Sequence, residues 1–192
     1  NMDWNIGRVL EAVEAKGVAE NTYVIYFSDH GDMHGSQGRI LKCVPFEESV
    51  RIPFIVRDPK AEAQGSREQR GRSPELINHV DIGPTSLGIC GIDKPEWMGG
   101  TDYSGCYLDH REEPETMPDS AYLQLVDPGF KYGFAVDRER PWRGVVTDDG
   151  WKYAVFEGVP WLMYNLNEDP YEMVNLAMDR RFGDERKRLQ GR

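Results

Sequence analysis

The stretch that decides the fold of this chain is YVIYFSDHGD, residues 23–32, in which an apolar run passes directly into a polar segment. Residues 23–27 are almost continuously apolar, a pattern typical of a strand covered on both faces, as in a parallel sheet. Ligands of open α/β sheets bind beyond the carboxyl ends of such strands. The stretch therefore predicts an α/β fold with Asp29 and His30 at a functional edge.

The residues on either side of this stretch complete a pattern of helix, loop and strand. Helical spacing of apolar residues predicts a helix over 3–16, with Gly17 as its left-handed cap. Downstream, Pro45 opens a short predicted helix at about 46–50, and a second buried strand is predicted at 53–56. This part of the chain is typical of an α/β unit.

The remainder of the chain changes from helical patterns to short strands. A helical pattern covers 76–89, with Pro84 predicted at a helix start, while 58–74 and 91–118 are predicted to be loops or connections. Four strands and a polar helix are then predicted at 121–126, 142–147, 151–156, 161–166 and 173–189. Asp148-Asp149-Gly150 predicts a hairpin turn. We therefore expect an α/β region at 1–118 and a small antiparallel-sheet region at 119–192.

The composition of the chain argues against nucleic acids and membranes as binding partners. Lys and Arg total 23 against 33 Asp and Glu, a formal net charge of −10, which argues against non-specific binding of nucleic acid or anionic lipid. No stretch approaches the ~20 apolar residues that a transmembrane helix needs, so no membrane partner is predicted. The 3 cysteines have wide spacings that fit neither a disulfide framework nor a zinc site. Any targeting segment would lie upstream of Asn1, so localisation is left open.

The polar segment after the first strand has the residue types of a metal and anion site. Asp29 offers a hard carboxylate oxygen and His30 an imidazole nitrogen, but two ligands are too few for a complete site. Lys42 would supply a positive charge for a tetrahedral anion. The alternative is structural: Asp29 caps the turn, His30 hydrogen-bonds to it, and Lys42 is solvated.

Two blocks of sequence resemble the type I sulfatases of the alkaline phosphatase superfamily. The first is SDHGDM at 28–33, followed by Gly35, Gly38, Lys42 and PFEESVRIP at 45–53. It is similar to the second half of the sulfatase active site. The second block, YNLNEDPYEMVNL at 164–176, is similar to the closing strand, turn and helix of these enzymes.

This resemblance implies a fold, an activity and a set of site residues. The fold would be the C-terminal part of a sulfatase: an α/β/α sandwich with a mostly parallel sheet, then a small antiparallel sheet and a helix. The activity would be hydrolysis of a sulfate monoester in a sulfated small molecule or glycan. Asp29 and His30 would bind a divalent cation, usually calcium, and Lys42 would hold the sulfate.

The chain also departs from the sulfatase pattern. Many members carry a histidine eight positions after the ligand aspartate, where this chain has Gln37, which cannot act as a general acid. His34 would occupy related space or be a surface histidine. Cys43-Val44-Pro45 imitates the start of the Cys/Ser-x-Pro-x-Arg motif that yields the formylglycine nucleophile, but its arginine is missing. We therefore expect the nucleophile on an N-terminal sulfatase segment that would be a partner of this chain, and no activity from this chain alone.

Two other functions fit the same residues. A phosphodiesterase or phosphonate monoester hydrolase of the same superfamily is one, because sulfate and phosphate share tetrahedral geometry. A non-catalytic domain that binds an anion or a partner is the other. The nature of the upstream nucleophile would separate these alternatives.

Overall fold

The computed structural model describes residues 1–59, 73–108, 110–126 and 141–192. Its helices and strands are α1 (Met2–Ala15), β1 (Val24–Phe27), α2 (Glu47–Val50), β2 (Phe54–Arg57), α3 (His79–Ile89), β3 (Ser120–Leu125), β4 (Trp142–Thr147), β5 (Trp151–Phe156), β6 (Val159–Asn165) and α4 (Gly183–Gln190). None of the described helices has both the length and the hydropathy of a bilayer span. The mixed α/β class, the small antiparallel sheet and the C-terminal helix agree with the sequence-based prediction.

The chain divides by internal contacts into two units, and both are built from separate segments. One unit comprises Asn1–Phe27, Pro53–Ser73 and His79–Glu115. The other, which we call the sheet unit, comprises Ser28–Ile52, Pro74–Asn78 and Thr116–Arg192. The polar segment that follows β1 therefore belongs with the C-terminal sheet.

The first unit contains α1, β1, β2 and α3. The predicted helix and its cap are confirmed, since α1 ends at Ala15 and Gly17 has a φ of 68°. β1 pairs with β2 in antiparallel register, Val24 opposite Arg57 and Phe27 opposite Phe54. The one described partner of β1 is thus antiparallel, as single strands of mixed sheets often are, although its sequence is typical of parallel sheets.

Pro84 lies in the interior of α3 and not at a helix start, so that prediction is wrong. Proline leaves the carbonyl of Val80 without its helical donor. The segment after the helix packs closely there, because a Cβ on Gly100 would lie 2.3 Å from the Val80 oxygen. Side chains of the helix also bind this segment: Asp81 accepts a hydrogen bond from the Thr101 N–H, at 2.7 Å. These tertiary contacts keep the helix continuous past the proline.

The sheet unit is built on a four-stranded antiparallel sheet in the order β3-β4-β5-β6. β4 and β5 form the predicted hairpin, in which the Gly150 N–H donates to the Thr147 carbonyl at 3.0 Å and Gly150 has a φ of 88°. Glycine suits this turn because the left-handed conformation is strained for other residues. The hairpin prediction is confirmed.

Each face of this sheet packs against a different part of the chain, because side chains alternate along a strand. The loop face holds a cluster formed by Met33, Val44, Phe46, Ala154, Leu162 and Tyr164. The helix face holds a cluster formed by Val145, Tyr153, Met163, Ala177 and Leu189. One face therefore carries the polar segment after β1, and the other carries α4.

The C-terminal helix begins at Gly183, about ten residues after its predicted start near 173. The intervening residues form turns because two side chains take the backbone hydrogen bonds. Asp169 accepts from the N–H groups of Met173 and Val174, at 3.0 and 2.8 Å. Asn175 accepts from the N–H groups of Ala177 and of Met163 on β6, at 3.0 and 3.1 Å. Such side chains compete with helix formation, which moves the helix start downstream.

Leu189→Ala is expected to lower the free energy of unfolding of the sheet unit by about 2–4 kcal/mol. Leu189 is 2% exposed and belongs to the cluster on the helix face, so truncation leaves a cavity in a packed core. Chemical denaturation followed by tryptophan fluorescence measures the change. A loss below about 1 kcal/mol would contradict this packing.

Candidate functional site

The polar segment begins where β1 ends and is held against its own later residues by a close backbone approach. The Gly31 N–H donates to the Ser49 carbonyl at 2.9 Å. A Cβ on Gly31 would lie 2.0 Å from the carbonyl oxygen of Glu48. Only glycine fits there, so the glycine next to His30 lets the segment fold back on α2.

Asp29 and His30 lie side by side with their side chains oriented by hydrogen bonds. His30 Nδ1 lies 2.7 Å from the Gly31 carbonyl oxygen, which can only accept, so Nδ1 carries the proton and donates. Nε2 lies 3.4 Å from Asp29 Oδ2. In the neutral ring, Nε2 therefore presents a lone pair beside a carboxylate oxygen. A carbonyl that fixes the tautomer in this way is typical of metal-binding histidines.

The carboxyl group of Asp29 is kept ionised by its neighbours. Desolvation is the largest single influence and would raise its pKa, but the His30 charge and hydrogen bonds from the His30 N–H and the Ser28 hydroxyl together lower the pKa below its usual value. Asp29 is therefore an anion at neutral pH, with its side chain 83% exposed.

This pair fits two positions in the coordination shell of a divalent cation. Ligand distances of ~2.0–2.6 Å allow one ion to contact two atoms that are 3.4 Å apart. Among residues 1–59, 73–108, 110–126 and 141–192, no group of three or more His, Cys, Asp and Glu side chains could hold a metal. Asp29 and His30 would contribute part of a shell that other groups complete.

Lys42 lies in a backbone segment of unusual conformation. His34, Gln37, Leu41 and Cys43 all have positive φ, between 45° and 75°. Such residues are costly in this region and cluster at functional sites, where surrounding structure maintains them. Lys42 is half-buried between two of them, and its charge contributes to lowering the pKa of Asp32, after the larger effect of the His34 N–H hydrogen bond.

Gln37 and His34 occupy different surroundings. Gln37 Nε2 donates to the carbonyls of Tyr171 and Glu172, at 3.0 and 3.1 Å. Its amide thus ties the segment to the block that follows β6. The His34 side chain is 86% exposed and lies 3.4 Å from Asp32 Oδ1. This placement favours the surface histidine among the two alternatives for His34.

A buried ion cluster, which the sequence did not predict, lies where this segment meets the sheet. Lys152 on β5 is fully buried, and its Nζ lies 2.5 Å from Glu47 Oε1 and 2.8 Å from Glu172 Oε1. Glu172 Oε2 accepts the Glu47 N–H at 2.7 Å. We call Lys152, Glu47 and Glu172 the lysine cluster. Desolvation raises the pKa of Glu172, against opposing effects of the Lys152 charge and hydrogen bond.

Trp142 provides another contact between the sheet and the segment. Its indole Nε1–H donates to the Cys43 carbonyl at 3.0 Å, and the residue is 4% exposed. Its ring packs against Trp161, with centroids 6.5 Å apart. These contacts give Trp142 a packing role between the sheet and the segment.

Comparison with known proteins finds sulfatases and their relatives. The sulfatase family model matches residues 1–92. The uncharacterized sulfatase YidJ of Escherichia coli (strain K12) is 34% identical over 98% of this chain and 34% of its own length. A solved enzyme in complex with its substrate D-glucosamine-2-N,6-O-disulfate has a TM-score of 0.75 at 28% identity, over 98% of this chain and 36% of its own. The phosphonate monoester hydrolase of Agrobacterium radiobacter has a TM-score of 0.77 at 26% identity, over 96% and 36%.

The fold and these likenesses are those of the alkaline phosphatase superfamily. Within it, residues 1–92 match the sulfatase family model, and sulfatase relatives align with nearly the whole chain, in agreement with the resemblance inferred from the two sequence blocks. The chain spans about a third of the length of the relatives it matches. Sulfatases are generally metal-dependent, in keeping with the fit of Asp29 and His30 to a cation.

Proposed function

We propose that the full-length protein carrying this chain hydrolyses sulfate monoesters. Asp29 and His30 would be two ligands of a divalent cation, and Lys42 would bind the transferred sulfate. The observation that carries the proposal is the orientation of His30: its Nδ1 is engaged by Gly31, and its Nε2 faces Asp29 Oδ2 at 3.4 Å. In a chain that resembles sulfatases, this arrangement at the end of β1 would serve to bind the divalent cation.

Each residue would have a distinct part in the reaction. A bound cation would act as a Lewis acid on the sulfate and lower the energy of the charge that develops on its oxygens. Lys42 would add a fixed positive charge at the same group. By family resemblance the nucleophile would be a formylglycine, and this sequence contains no Cys/Ser-x-Pro-x-Arg motif. We expect it on an N-terminal sulfatase segment, together with the remaining metal ligands.

Calcium is the cation we propose. Carboxylate oxygen suits calcium, and the family resemblance implies it, although the nitrogen of His30 is also compatible with softer metals. The proposed substrate is a sulfated glycan or small molecule, since one solved relative is in complex with a sulfated glucosamine. The leaving group would be protonated by a residue other than Gln37, because an amide cannot supply the proton and this one bridges to Tyr171 and Glu172.

The direct test measures turnover of 4-nitrophenyl sulfate and of 6-O-sulfated glucosamine by the purified full-length protein. We expect release of sulfate that stops when a chelator removes the metal and resumes on addition of Ca²⁺. An enzyme that turns over neither substrate with any divalent cation would contradict the proposal.

Asp29→Ala is expected to weaken metal binding by the full-length protein about 10- to 1,000-fold, because one anionic ligand is lost. Isothermal titration calorimetry with CaCl₂ measures the affinity directly, without reference to turnover. Asp3→Ala is the matched control, since Asp3 is an exposed acid in the first turn of α1. Equal affinities of the Asp29 variant and the wild type would remove Asp29 from the metal site.

A second candidate is hydrolysis of phosphonate monoesters. The likeness to the Agrobacterium radiobacter enzyme favours it, with a TM-score of 0.77, and both anions are tetrahedral. Parallel assays with a phenyl phosphonate monoester and 4-nitrophenyl sulfate separate the two activities. A kcat/KM that is higher for the phosphonate would favour this second function.

A further inference from the structure

The lysine cluster joins two parts of the chain that are far apart in sequence. Glu47 begins α2, directly after the segment that carries Lys42, whereas Lys152 lies on β5 and Glu172 follows β6. Lys152 Nζ contacts both carboxylates, and Glu172 also accepts the backbone N–H of Glu47. The cluster is therefore a direct polar connection between the C-terminal sheet and the segment of the candidate site.

The burial of this cluster makes its charges interdependent. The Lys152 side chain is 0% exposed and that of Glu172 is 1% exposed. Removal of one partner from a buried ion pair leaves an uncompensated charge in a medium that solvates it poorly. Arg51 also faces Glu47, at 3.5 Å. Two cations and two carboxylates thus lie at this junction, and of the two cations Lys152 is the fully buried one.

The segment held by this junction needs an external support. Four of its non-glycine residues have positive φ, and two of them, Leu41 and Cys43, flank Lys42. Strained backbone persists only where several contacts maintain it. Met33 and Val44 anchor the segment in the core of the loop face, and both are 0% exposed. Gln37 and the carbonyl of Cys43 add hydrogen bonds to Tyr171 and Trp142, respectively.

From these contacts we propose that Lys152 is a positioning residue: through Glu47 and Glu172 it holds residues 28–52 in the strained conformation that presents Asp29, His30 and Lys42. It touches neither substrate nor metal in this role. The proposal deepens the proposed function and rests on it for its consequence in catalysis. The position of the segment itself can be measured independently of any activity.

The test compares Lys152→Met in the full-length protein with Leu189→Ala, which makes a cavity on the opposite face of the same sheet. Hydrogen exchange is followed in peptides from 29–52 and from 142–165. In Lys152→Met, protection of the first peptides is expected to fall about 100-fold at pH 8, because a buried ion pair is broken, and that of the sheet peptides less than about tenfold. Leu189→Ala is expected to reduce both sets together.

The dependence on pH distinguishes the charge of Lys152 from its bulk. Without the ammonium, the pKa of Glu172 rises further above its unfolded value of ~4.3. Between these two pKa values the folded state holds a proton that the unfolded state has lost, so stability falls as pH rises through this window. Glu47 contacts Lys152, Arg51 faces Glu47, and Tyr164 interacts electrostatically with Glu172; the substitution leaves these three residues in place. The loss of protection in Lys152→Met should therefore be smaller at pH 5.5 than at pH 8.

Turnover supplies the second readout. Lys152→Met is expected to lower kcat for 4-nitrophenyl sulfate about 100-fold, because small displacements of catalytic groups have effects of this size. Leu189→Ala, assayed below its melting temperature, should keep kcat within about threefold of wild type. Glu172→Gln, which keeps a hydrogen-bond acceptor, should lose less than Lys152→Met.

Three results would overturn the role of Lys152: unchanged protection of 29–52, equal losses in loop and sheet peptides, or a loss that is the same at both pH values. A wild-type protein that fails to hydrolyse sulfate esters would instead refute the proposed function. In that case the exchange measurements still decide whether Lys152 holds the segment.

Discussion

Lys42→Ala in the full-length protein is expected to lower kcat/KM for sulfate esters about 100- to 1,000-fold, the usual effect of removing one donor from a developing anion. Lys42 lies between Leu41 and Cys43, whose left-handed conformations fix its place in the loop. Its charge acts on Asp32 within the same loop. Because we propose that Lys42 binds the sulfate, the loss should come from the missing charge there and be accompanied by a rise in KM for substrate.

The fold should tolerate this change. Lys42 is half-buried and lies outside both hydrophobic clusters of the sheet unit, so the midpoint of thermal unfolding should shift little. Lys16→Ala is the matched control, because Lys16 is an exposed lysine at the end of α1. Initial rates with 4-nitrophenyl sulfate measure the effect, and turnover of Lys42→Ala equal to that of the control would exclude Lys42 from the sulfate site.

Gly31→Ala is expected to destabilise the full-length protein by about 3 kcal/mol or more, at the upper end of the cost of overpacking. The added methyl group would lie 2.0 Å from the Glu48 carbonyl oxygen and 2.9 Å from its carbon. Both are backbone atoms, so no rotamer change relieves the clash. The segment can accept the methyl only by moving His30 and the Gly31–Ser49 hydrogen bond.

Gly7→Ala provides the matched control for this substitution. A Cβ at Gly7 meets nothing within 4 Å, and the residue lies inside α1. Alanine there should stabilise the protein by roughly 0.5–1 kcal/mol, because glycine is a poor helix former. Thermal and urea unfolding report both changes, and a Gly31→Ala protein as stable as wild type would show that α2 does not lie against Gly31.

Local patterns in the sequence predicted much of this fold. The hydrophobic period of residues 3–16 and the glycine after it correspond to α1 and its cap. Asp148-Asp149-Gly150 determines a hairpin through its own backbone preferences. Two predictions were wrong: the position at which α4 starts, and the placement of Pro84 at the start of a helix. Pro84 is accommodated through contacts with residues near Thr101, which no local pattern reveals. Before α4, side-chain bonds of Asp169 and Asn175 replace helical ones, and the hydrophobic period does not indicate them.

The candidate site also contains some residues that the local sequence predicts and others that it does not. Asp29 and His30 are neighbours in sequence, so their proximity could be expected, and the strand before them indicated where they lie. Lys152 could not be identified in this way. It alternates with Trp151 and Tyr153 as a solvent-facing lysine would, and only the return of the chain near Glu172 encloses it. Roles for Asp29, His30, Lys42, His34 and Gln37 stay predictions until they are tested.

The loop face of the sheet has a consequence for the design of chimeras. Met33, Val44 and Phe46 enter a cluster whose other members lie more than a hundred positions later in the sequence, at Ala154, Leu162 and Tyr164. If residues 119–192 were exchanged with those of a relative, the early side chains would meet new neighbours. A working hybrid therefore has to inherit both stretches from one parent, because only then do the packed side chains match.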